Sequence, residues 1–162
     1  MPGTWPDYLN LLDQVGACLE NLTALEREKT KAVLHDDLPG VDDCMKREQA
    51  LSLSLRALER KRTDLLAALG FQNAPLSALA DQCPPELKSQ ARETARRLRD
   101  RYDIYRAAAD VARHTLEINL HEIEKIIERQ WGGEYLRETA APSAPGQPRE
   151  IRRGGGLRDI RA

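Results

Sequence analysis

The sequence predicts an all-α fold: an elongated antiparallel helical hairpin joined by one very long C-terminal helix in a three-helix coiled-coil bundle, followed by a flexible tail. Three observations carry this prediction. Apolar residues recur at alternating spacings of three and four along three stretches, and no strand-like alternation competes. Charged residues make up 31% of the chain and aromatics only 4%, which is the Leu/Ala/Glu/Arg bias of bundles. Helix stops and starts separate the stretches at Asp37-Leu38-Pro39-Gly40, Gly70, Pro84-Pro85 and Gly132-Gly133.

The first helix is predicted over about residues 5–36. Thr4 serves as its N-cap, with the acidic Asp7 three residues on. Its seam is Tyr8, Leu11, Val15, Cys18, Leu22, Leu25, Lys29 and Ala32, widened by Leu12, Leu19 and Val33. The second helix, about 38–69, is capped by Asp37. It repeats Val41, Cys44, Glu48, Leu51, Leu55, Leu58, Arg62, Leu65 and Leu69 without a slip. So short a break between two such helices folds them back as a hairpin. Glu48 and Arg62 are polar intrusions on the seam, either snorkelling at its flank or setting register. A connector follows, with a short helix at about 75–82. The long helix spans about 85–131, and its seam is Ala95, Leu98, Tyr102, Tyr105, Ala109, Ala112, Leu116, Asn119, Ile123 and Ile126. The helical unit is thus 1–133 and the tail 134–162, with Pro142, Pro145, Pro148 and Gly154-Gly155-Gly156.

Length arithmetic points to a site. The second helix offers about 30 residues of partner to a helix of about 46, so roughly 15 at the C-terminal end should project past the hairpin. A solvated overhang ought to turn polar, yet this one broadens its apolar stripe with Leu116, Ile118, Leu120, Ile123, Ile126, Ile127 and Trp131. Exposed apolar surface of this kind marks a partner site. The expected partner-binding residues are Leu116, Leu120, Ile123, Ile127 and Trp131, joined by Leu157 and Ile160 of the tail.

Other chemistry finds little support. The net charge of −1 exerts no global pull toward nucleic acid or anionic membrane. No apolar run reaches the roughly 20 residues of a membrane span, and Met1-Pro2-Gly3-Thr4-Trp5 lacks the regions of a signal peptide, so the expected location is cytoplasmic. Cys18, Cys44 and Cys83 form no metal or redox spacing, and Cys18 and Cys44, on helix seams, read as small buried groups. His114, Glu117, His121 and Glu124 share a helix face, but it points away from the seam and reads as solvated. The arginines from Arg92 to Arg101, interleaved with Glu93 and Asp100, read as a salt-bridged surface. No nucleophile–histidine arrangement occurs. The expectation is a protein that is not an enzyme, with no cofactor, metal or nucleic acid.

Leu22-x-x-Leu25-Glu26-Arg27-Glu28-Lys29, then Val33 and Asp37, resembles the first hairpin of the FlgN-type flagellar export chaperones. So does Leu55-x-x-Leu58-Glu59-x-Lys61-Arg62-x-x-Leu65-Leu66-x-x-Leu69-Gly70-Phe71. Asn119-Leu120 followed by Ile123, Ile126 and Ile127 is similar to the last long helix of that family, and Leu157-Arg158-Asp159-Ile160-Arg161-Ala162 resembles its terminus. The resemblance implies a cytoplasmic chaperone of type III flagellar export. Such a protein binds the C-terminal helical segments of hook–filament junction (hook-associated) proteins, prevents their premature association and aids delivery to components of the export apparatus. The alternatives are a chaperone for the filament cap or filament subunit, and a homodimeric structural or adaptor coiled coil that uses the same stripe.

Overall fold

The structure, a computed structural model, describes residues 3–72 and 74–131. The predicted tail, with Leu157 and Ile160, lies outside the described residues, as does the side chain of Trp131. Among the described residues the fold is all-α.

Helix α1 runs Trp5–Leu34 and opens with the expected capping box. The Thr4 backbone N–H donates to Asp7 Oδ2 (2.9 Å) and the Asp7 N–H to Thr4 Oγ1 (3.3 Å). The contact with the Thr4 side chain, then with its backbone, holds the Asp7 carboxyl below its ordinary range. The chain leaves α1 through Asp36, whose φ of 53° lies in the left-handed region that Asp tolerates. Asp37 then caps α2 (Leu38–Ala68) by accepting from the Gly40 N–H at 3.0 Å. After α2, Gly70 takes up a φ of +88°, the left-handed turn for which glycine is suited. Helix α3 is Leu76–Gln82, and α4 runs Lys88–Trp131. The long helix was expected to start at Pro85, but Pro85–Leu87 form a 3-10 turn closed by Leu87 N–H to the Pro84 carbonyl (2.9 Å). Cys83 and Pro84, each followed by a proline, stay extended at ψ 152° and 145°, so the Leu87 N–H meets the Pro84 carbonyl and not the one before it.

The long helix was also expected to have α2 as its partner. Instead α1 is the central element. It packs against both α2 and α4, which scarcely approach each other, while α4 also receives α3 at its N-terminal end. The reason is the width of the α1 stripe: Leu12, Leu19 and Val33 are buried along with Tyr8, Val15, Leu22 and Leu25. A stripe that broad covers two neighbours. Helix α2 is narrower, burying only Cys44, Leu55, Glu59, Arg62 and Leu66.

Pairs across the α1–α4 seam fix its direction. Arg97 meets Asp13 at 3.4 Å and Arg101 meets Glu20 at 2.9 Å, and farther on Arg27 and Thr30 line a groove with Ile104, Ala107, Ala108 and Val111. Numbers rise together, so α4 runs parallel to α1. Gly16 lies under the Arg101 side chain, whose guanidinium a Cβ there would meet. The core begins at the base, where Trp5 meets Tyr8 edge-on (6.0 Å) and Phe71 (5.5 Å), and runs up through Leu9, Leu12, Leu19, Leu22, Leu76 and Leu98. Leu19 is 0% exposed. Leu19→Ala should therefore cost about 3–5 kcal/mol, read as a lower urea midpoint with unchanged slope. A loss below about 1 kcal/mol would mean that this stretch of α1 is not packed.

The surface readings from the sequence are met. Arg92 pairs with Asp81 and Arg96 with Glu93, and both arginines are exposed. His114, Glu117, His121 and Glu124 are exposed. All three cysteines are buried and free, and burial pushes each thiol pKa up. Glu48 and Arg62 are not snorkelling: each is held in an ion pair, Glu48 with Lys29 (2.7 Å) and Arg62 with Glu59 (3.0 Å).

Candidate functional site

Because α4 runs parallel to α1 from a common base, the two helices can be compared level by level. Thr30, a turn before the end of α1, shares a groove with Val111. Ala112 is 0% exposed and, among the residues of α4 whose side chains are described, is the last one buried. From Leu116 to Trp131 the helix runs on for about 16 residues, or about 24 Å, past the hairpin. No Gly or Pro interrupts α4, so its backbone hydrogen bonds carry the overhang as a straight extension.

The line of α4 that faces α1 does not stop where α1 stops. Leu98 and Ala112 are buried and Ala95, Tyr105 and Ala109 half-buried; the same three-four spacing continues through Leu116, Asn119, Ile123 and Ile126. Leu116, Asn119 and Ile127 are half-buried, whereas Leu120 (58%), Ile123 (44%) and Ile126 (50%) are exposed. Four of the expected site residues, Leu116, Leu120, Ile123 and Ile127, therefore lie together along one side of the overhang. Trp131 ends α4 on the same segment. Ile126 belongs to this line as well, and its place in the three-four seam already marked it.

Ile118 was grouped with this stripe, but 100° per residue puts it more than a third of a turn from Leu116 and Ile123. It extends a different line, Ile104, Val111 and Ile118, spaced seven apart and exposed at 50, 56 and 51%. Sequence reasoning passed over this second line because its spacing of seven lacks the intervening apolar residue that defines a seam.

The FlgN family profile, described as FlgN protein, matches residues 2–129. The chain belongs to the FlgN family. FlgN proteins are chaperones of flagellar export, and the matched span takes in the bundle and nearly all of the overhang. No curated protein and no solved structure gives a significant match. In this FlgN chain no helix among the described residues is long and apolar enough to cross a membrane. Among the same residues no group of His, Cys, Asp and Glu is placed to hold a metal ion.

Proposed function

We propose that the overhang of α4 is the client site of a cytoplasmic flagellar export chaperone, and that its clients are the C-terminal helical segments of hook–filament junction proteins. One observation carries the reading: the α1-facing line of α4 continues beyond the end of α1 for about three turns, apolar at Leu116, Leu120, Ile123, Ile126 and Ile127 and exposed at the middle three. A client helix laid there takes the position α1 would occupy if it were longer. It buries its own apolar stripe against Leu116, Leu120, Ile123, Ile127 and Trp131, the helix-in-groove mode of recognition. Leu157 and Ile160 join the client or cover the stripe when no client is bound. Holding the client this way keeps its helix from pairing early and presents it to the export apparatus. The protein acts by binding, without a reaction.

Affinity capture of the full chain from the source cytoplasm, with bound proteins identified by mass spectrometry, tests the reading. Recovery of hook–filament junction proteins, lost from a chain that ends at residue 115, is the expected result. Recovery of filament cap or filament subunits would reassign the client. Recovery of the chain's own second copy alone, with a stable dimer by light scattering, would replace the chaperone reading with a self-pairing coiled coil.

A further inference from the structure

Three helices contribute to a buried charged cluster that the client site does not use. Lys29 and Glu26 of α1 are buried, at 8 and 2% exposed, and Glu48 of α2 reaches in beside them. The Lys29 ammonium lies 3.0 Å from Glu26 Oε2 and 2.7 Å from Glu48 Oε2. Both carboxyls thus sit against the same ammonium, which brings them side by side. From α4 the facing group is Tyr105, whose phenol is pushed up by burial and then by both carboxylates. One ammonium facing two carboxylates leaves a net negative charge in the bundle, a state costly to bury. One added proton makes the cluster neutral and lets one carboxyl donate to the other.

We propose that Glu26 and Glu48 share a single proton above the Lys29 ammonium, and that this proton latches α1, α2 and α4 together at the root of the overhang. Tyr105 lies two turns below Ala112, where α4 parts from α1, so loss of the proton loosens the bundle where the client surface begins. The proposal concerns the free bundle and stands whichever client binds.

Burial, then the contact with Glu48, pushes the Glu26 carboxyl from its ordinary 4.5 up to about 7, against the opposing pull of Lys29. Glu48, coupled to it, is held below its ordinary value despite burial by its contacts with Glu26 and Lys29. For a group raised in the folded state the sign is set. Its stabilisation is complete below the free-glutamate range and is lost as pH rises through about 7. Glu48 contributes only below that window.

The test is urea unfolding of the full chain at intervals from pH 5 to pH 8, together with hydrogen exchange. Each pH unit of raised pKa is worth about tenfold in the folding equilibrium, so the chain should lose on the order of 100-fold across this range. Glu26→Gln, which mimics the protonated carboxyl, should abolish most of that slope. The exposed His35, His114 and His121 are common to both proteins and cancel in the comparison. Glu48→Gln leaves Glu26 alone with Lys29 and should move the loss to lower pH. Protection factors, which remove the intrinsic base catalysis of amide exchange, should fall with pH at 26–33, 44–51 and 105–112 in the parent chain but not in Glu26→Gln, and at pH 8 should lie below those of the base around Leu66 and Leu76. A flat parent profile, or an equal slope in Glu26→Gln, would overturn the shared proton. Protection at the base as low as at these amides would overturn the latch.

Discussion

Replacing Leu120 and Ile123 together by Asp is expected to weaken client binding by more than about 100-fold. Each apolar side chain buried by a client helix is worth about 1.5–3 kcal/mol. The substitution removes two of them and requires two carboxylates to be desolvated, and about 1.4 kcal/mol is already tenfold. The free protein should hardly notice, because both positions are exposed (58 and 44%) and the helix continues on either side. Helical circular dichroism and the urea midpoint should stay close to those of the parent. Ile118→Asp is the matched control: it is equally exposed, at 51%, but lies on the other line of α4. Titration of the full chain with a client's C-terminal segment checks all three proteins. Undiminished binding by the double variant would remove the site from this face. Loss of binding in Ile118→Asp alone would move the site to the Ile104–Val111–Ile118 line.

Arg62→Ala is expected to destabilise the bundle more than any surface change. Arg62 is 2% exposed and grips Glu59 through Nη2 at 3.0 Å and Nε at 3.2 Å. Burial works against the guanidinium charge, but Glu59 outweighs it and Arg62 stays charged. Truncating it leaves a carboxylate buried against the core, a loss of about 3–5 kcal/mol. At a urea slope of about 1–3 kcal/mol per molar, the midpoint falls by roughly 2 M. Replacing both partners, Glu59→Leu with Arg62→Met, should cost far less, since no charge is then stranded. If Arg62→Ala lost no more than about 1 kcal/mol, solvent would be reaching this pair.

The polar cluster and the Arg62–Glu59 pair also divide what was legible in the chain from what was not. Lys29, Glu48 and Arg62 stand on predicted seams, so their presence in the core could be anticipated. That Lys29 and Glu26 meet Glu48, near enough to Tyr105 of α4 for both carboxylates to act on its phenol, could not, because it depends on how far α2 and α4 slide along α1. Glu26 carried no signal beyond its place in a Leu/Glu/Lys pattern.

Local physics was readable throughout. The Thr4–Asp7 capping box, the Asp37 cap and the left-handed Gly70 each depend on a few neighbouring residues, and each occurs where the sequence puts it. Periodicity likewise determined that the fold is all-α, that α4 is long, and that its apolar line outlasts the hairpin. Tertiary structure decided the rest: that α1 and not α4 lies at the centre, and that α4 parallels α1. A seam specifies which side of a helix is apolar, not which of two similar seams it meets. That choice follows from the full width of the α1 stripe and from α3 and the Pro84-Pro85 turn, which return the chain to the base. Neither acts until the helices are packed.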